Sequence, residues 1–229
     1  MKRYAQLGLC LLATAALAAC GSGRTTAGND QMASSSTEVN AGAEAGSDPF
    51  ADAERTMNDK MMAAVGSDAG QTWAVKMIEH HQGATDMSKI VLGQHPTADV
   101  ATMAREDIDK QTKDAGSIRK LLSGGAPEPK SAELYRPAMM DMQQAMMAAH
   151  GATASETYLR KMLAHHKGAV AMSDVALTHG VSGAMKAQVE KTKAENQKDA
   201  AMVEAMLSGK PMNISDDMNG MDMNAMNHM

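Results

Sequence analysis

The segment MIEHHQGATDM at residues 77–87 returns as MLAHHKGAVAM at residues 162–172, and this doubling decides how the chain is read. In each copy Met, a His pair, Gly-Ala and a second Met recur three or four residues apart, the spacing of one helix face rather than of a strand. The match extends outward without a gap. MNDKMMAAVG at 57–66 aligns with MQQAMMAAHG at 142–151, Trp73 with Tyr158, and LLSG at 121–124 with MLSG at 206–209. Two copies are too few for a solenoid and imply a pseudo-symmetric body.

Each copy reads as helices. Val100, Met103, Ala104, Ile108, Gln111, Ala115 and Ile118 trace one helical stripe, and Met185, Val189, Thr192, Asn196, Ala200 and Val203 trace another. The His-bearing segments run from about 70 to 94 and from 155 to 179, with breaks at Gly93/Pro96 and Gly180. Glycines and prolines between Gly124 and Pro129 separate the copies. The expectation is an all-α, ferritin-like up-and-down four-helix bundle with two short additional helices. It spans residues 49–211 in two repeats, about 50–125 and 135–209.

On the first motif Trp73, Met77, His80/His81, Ala84 and Met87 share the apolar face, so the imidazoles are expected to point inward. Met162, His165, His166, Gly168, Ala169 and Met172 repeat the arrangement. A single interior His is ordinarily a satisfied core residue. Four of them, flanked by Met, cost desolvation that apolar residues would avoid. Met77, His80, His81, Met87, Met162, His165, His166 and Met172 are therefore the candidate metal ligands, expected to converge on one interior region. Whether the motifs build one shared site or two stays open. Thioether is a soft, uncharged donor suited to Cu(I) and Ag(I), and imidazole suits copper in either oxidation state.

Methionine is the compositional outlier at 24 residues of 229. Met61, Met62, Met103, Met146, Met147, Met185 and Met206 can be plain core filler. The segment 212–229 has little else apolar to pack against, so Met218, Met221, Met223, Met226, His228 and Met229 read as secondary ligands on a flexible tail.

The start of the chain sets the expected compartment. Lys2-Arg3 precedes an apolar run that ends in Leu17-Ala18-Ala19-Cys20, a secretory leader over 1–19 with a lipobox-like close. Cys20 is the expected lipidation site, which anchors the protein to a membrane on the periplasmic face of a bacterial envelope without a spanning helix. Residues 20–48 read as a flexible tether. With Cys10 lost and Cys20 blocked, soft-metal binding falls to Met and His. The net charge of −5 and only five aromatic residues argue against nucleic acid as a partner.

The motif Met-x-x-His-His-x-Gly-Ala-x-x-Met, at both 77–87 and 162–172, resembles the family known as domain of unknown function 305, whose copper-binding members are called CopM-like. The resemblance covers roughly residues 50–208. It implies a ferritin-like bundle, an extracytoplasmic location and handling of copper or silver, and it nominates the same eight motif ligands. It does not nominate the tail. Where the family often carries Gln-x-x-Glu-Ile, this chain has Gln111-x-x-Asp114-Ala115 and Asn196-x-x-Asp199-Ala200.

Enzymatic alternatives lack their ligands. A di-iron oxidase needs several carboxylates and Glu-x-x-His pairs, yet Glu79 becomes Ala164 and Asp86 becomes Ala171 in the second copy. A zinc hydrolase would want His-Glu-x-x-His, which is absent. The expectation is thus a non-enzymatic protein that sequesters copper and passes it to a copper-exchange partner. The competing reading is a metal-free helical lipoprotein that presents its Met-rich surface to other envelope proteins.

Overall fold

The computed structural model describes residues 48–209. The leader, Cys20, nearly all of the tether and the Met-rich tail from 212 to 229 lie outside the described residues, and so do the ligand assignments made there. Within 48–209 every regular element is helical: α1 (Ala51–Ala63), α2 (Ala69–Leu92), α3 (Ala98–Arg119), α4 (Pro129–Glu133), α5 (Arg136–Ala148), α6 (Ala154–Thr178) and α7 (Gly183–Leu207). None is long and apolar enough to cross a membrane. The four long helices α2, α3, α6 and α7 form the expected bundle. A third short helix, α4, joins the two expected ones. Its start at Pro129 suits proline, which needs no N–H partner in the first turn, and Glu128 accepts the N–H groups of Lys130 and Ser131.

Local signals place the ends of the His-bearing helices. Asp68 accepts from the Gln71 N–H at 2.8 Å and Thr153 from the Glu156 N–H at 3.1 Å, capping α2 and α6. Helix α2 stops at Gly93, and α6 stops just before Gly180, whose φ of 82° suits glycine.

Two polar bonds define how the repeats meet. Trp73, near the start of α2, donates to Ser173 Oγ late in α6 at 3.3 Å. Tyr158, near the start of α6, bonds Ser88 late in α2 at 2.8 Å. The two helices therefore run antiparallel and cross midway, about a pseudo-two-fold axis. Helices α3 and α7 are also antiparallel: Lys110 pairs with Asp199, and Lys191 with Asp114 at 3.0 Å. Since α3 and α6 then run in the same direction, the chain must cross the bundle between them, which residues 120–153 do through α4 and α5. One long crossover is the ferritin-like solution.

The short helices α1 and α5 pack on α2 and α6 through equivalent devices. Lys76 and Lys161 are both buried, and their ammonium groups reach the Met61 and Met146 carbonyls at 2.7 and 2.9 Å, in the last turns of α1 and α5. A cation there complements the helix C-terminus. Lys161 also pairs with Asp48 and Glu54 at 2.8 and 2.5 Å, whereas burial lowers the Lys76 pKa to about 8. Met57 and Met142 lie flat on the two motif glycines. A Cβ on Gly83 would fall 2.3 Å from the Met57 sulfur, and one on Gly168 the same distance from that of Met142.

An ordinary Gly→Ala change inside a helix gains up to about 1 kcal/mol. At Gly83 the overpacking against Met57, about 1–3 kcal/mol, should exceed that gain. Gly83→Ala is expected to lower the urea unfolding midpoint. Combined with Met57→Ala, it should cost less than the two single changes added, which a double-mutant cycle measures.

Candidate metal centre

All four motif histidines are buried, at 0 to 2 % exposure. Their adjacency in sequence turns neighbouring rings about 100° apart on each helix, so they serve different interfaces. His80 and His165 face one another where α2 crosses α6. Their rings stack with centroids 3.5 Å apart and planes inclined by 24°. Each donates from Nε2 to the other's backbone carbonyl, at 3.1 Å from His80 and 3.0 Å from His165. His81 and His166 turn instead toward α3 and α7, their ring centroids 5.9 and 5.7 Å from those of their sequence neighbours.

The outer rings are held by different groups. His81 donates from Nε2 to Asp114 Oδ2 at 2.9 Å. That carboxylate also accepts from Thr192 at 2.8 Å, Gln188 at 2.7 Å and Lys191 at 3.0 Å. Burial alone would push the Asp114 pKa up, but these donors and the His81 bond hold it well below the usual carboxylate range. His166 bonds through the other nitrogen, Nδ1, to Asn196 Oδ1 at 2.9 Å. The Asn196 amide is oriented by its own bond to the Thr192 carbonyl at 2.8 Å, so Nδ1 of His166 is the donor.

One ring nitrogen is left over on every histidine. Nδ1 of His80, His81 and His165 and Nε2 of His166 are buried without a hydrogen-bond partner. Each ring thus has one nitrogen engaged and the other buried without a partner, and in the neutral form that second nitrogen offers an unused lone pair. This is the state of a metal-ligating imidazole, whose second nitrogen is fixed by a carbonyl, carboxylate or amide. Burial and the neighbouring imidazoles hold the pKa values of His80 and His165 well below 6.5, which preserves the ligating neutral form.

The four imidazoles do not gather into a single cluster of ligands. Among the described residues, no three His, Cys, Asp or Glu side chains gather around a common point. The crossing brings His80 and His165 together, while His81 and His166 occupy flanking positions under α3 and α7. Met77, Met87, Met162 and Met172 are buried within the hydrophobic core.

Sequence reasoning passed over several contributors. Asp114 and Asn196 fix the outer rings, and they occupy the Gln-x-x-Asp and Asn-x-x-Asp segments whose role was open. Met57 and Met142 set the close approach at the motif glycines. Their equivalence across the duplication was the signal that could have found them.

A sequence model of the family described as Domain of unknown function (DUF305) matches residues 24–122 and 70–207. Together the two matches cover most of the chain, which belongs to this family. No curated protein and no solved structure matches it.

The depressed His80 and His165 pKa values have a consequence for stability. Above pH 6.5 these rings are neutral whether the chain is folded or not. Below it the unfolded chain takes up protons that the folded core resists, so stability falls. For metal-free protein, the urea midpoint should hold between about pH 6.5 and 7.5 and decline below that window. Replacing both rings, as His80→Leu/His165→Leu, should flatten that decline.

Proposed function

We propose that this DUF305 protein is a non-enzymatic, extracytoplasmic binder of soft metal ions that sequesters Cu(I), with Ag(I) as a second cargo. The supporting observation is the set of four buried imidazoles, each with one nitrogen fixed and the other without a partner. A purely structural core gains nothing from such groups, since each unmatched buried nitrogen costs about 1–3 kcal/mol. Bound copper turns the same atoms into ligands. The bond that His81 donates to Asp114 further raises the donor strength of that ring.

In this reading His80 and His165 form the shared inner pair, and His81 and His166 flank it. Met77, Met87, Met162 and Met172 are the nearby sulfur donors on the same two helices. The tail, with Met218, Met221, Met223, Met226, His228 and Met229, acts as a looser collector of ions. A lipid on Cys20 holds the protein at the membrane, where it receives copper and gives it up to an exchange partner. A carboxylate-rich di-iron centre is not proposed, because neither motif carries a Glu-x-x-His pair.

Competition for Cu(I) against a coloured chelator tests the reading. Wild type should show a tight class and a weaker class of ions. Changing His80, His81, His165 and His166 to Ala should weaken the tight class by about 100-fold or more. Deleting 212–229 should reduce stoichiometry and spare the tight class. Unchanged tight binding in the four-His variant, with helicity intact by circular dichroism, would overturn the proposal, as would copper-free wild type from copper-supplemented culture.

Asp114→Asn removes the charge that orients His81. It should weaken tight Cu(I) binding by about 10–100-fold without changing the number of ions bound.

A further inference from the structure

Helices α1 and α5 enclose a groove of about 420 Å³, outside the His pairs. Met57 from α1 and Met142, Met146 and Met147 from α5 line it, with His150 just beyond the end of α5. Most of the lining is sulfur and hydrocarbon. Met57, Met142 and Met146 are buried, whereas Met147 is 62 % exposed and His150 is open to solvent. The charged groups at the rim are committed elsewhere. Asp48 and Glu54 pair with Lys161, and Arg55 with Asp52.

Three features separate this groove from ordinary core packing. Four methionines from two helices line a single space, and Met147 remains largely exposed in the same groove as the His150 imidazole. His150 stands where the first repeat has Val65, so the nitrogen ligand occurs only on the side that lines the groove. Met57 and Met142 also rest on Gly83 and Gly168, three residues beyond His80 and His165 and so about one helical turn from the crossing. The donor set is soft and uncharged, and its two acids share the Lys161 ammonium. A strongly hydrated, oxygen-seeking cation would gain little here, whereas a monovalent soft ion would gain sulfur ligands in an apolar setting.

We infer that the α1/α5 groove is a second, solvent-reached site for monovalent soft ions, Cu(I) or Ag(I), bound by Met57, Met142, Met146, Met147 and His150. It uses none of the ligands of the buried His centre and stands or falls independently of it.

Ag(I) titration of the full chain carrying methyl-13C methionine tests this, because silver needs no reductant and each Met methyl reports separately. The methyl signals of Met57, Met142, Met146 and Met147 should shift together and saturate with one ion. Met147→Leu/His150→Val alters only exposed side chains and restores the residue of the first repeat at 150. It should weaken that shared response by about tenfold or more and leave the Met77 and Met162 responses unchanged. Groove methyls that stay fixed while Ag(I) binds elsewhere would overturn the inference, as would an unaltered midpoint in the double variant. Groove methyls that respond while Met77 and Met162 do not would support this site and count against the buried centre.

Discussion

The crossing of α2 and α6 rests on one reciprocal interaction, in which His80 and His165 each donate to the other's main-chain carbonyl while their rings stack. Side-chain to backbone bonds across a helix crossing fix the two axes in register, because sliding either helix breaks both at once. The same bonds assign the ring protons, leaving Nδ1 of both rings as buried acceptors without a protein partner. The architecture around the crossing follows from that requirement. Gly83 and Gly168 admit Met57 and Met142 against the backbone, and the Trp73–Ser173 and Tyr158–Ser88 bonds hold the helices on either side.

Magnitudes show why such an arrangement calls for a ligand. Four unmatched buried nitrogens at about 1–3 kcal/mol each amount to a loss comparable with the whole net stability of a typical domain, about 5–15 kcal/mol. The fold tolerates this with a large Met-rich core and with buried ion pairs on its α1/α5 side. An ion that binds the folded state alone would recover part of the loss and stabilise the chain by mass action. Under the proposed function, metal capture and folding stability would be coupled through the same atoms.

The duplication builds symmetry and then departs from it where chemistry is concerned. Lys161 has two acidic partners, while its counterpart Lys76 makes no such ion pair among the described residues and is lowered by burial. His81 is held through Nε2 by a carboxylate, and His166 through Nδ1 by an amide. Opposite ring nitrogens are therefore free in the two halves, so the outer rings present their lone pairs differently. His150 in place of Val65 is a third departure. A shared scaffold thus carries two unequal sets of donors.

Much was legible from the residues alone. Period-3.6 patterning, the Gly and Pro breaks and the repeat gave the helices, their approximate ends and the inward face of the His pairs, since these depend on local geometry and on the cost of exposing an apolar stripe. The family likewise followed from the doubled motif. What the linear pattern could not contain was partner choice across helices. Adjacent histidines must diverge on a helix, yet only packing shows that one of each pair meets its counterpart while the other meets Asp114 or Asn196. The Met57 and Met142 contacts, the crossover through α4 and α5, and the groove lined by His150 likewise come from surfaces brought together over long sequence separations. Sequence sets which donors are available and which way each helix turns them; tertiary packing sets which lone pairs end up unmatched, because hydrogen-bond partners are assigned only when the helices dock.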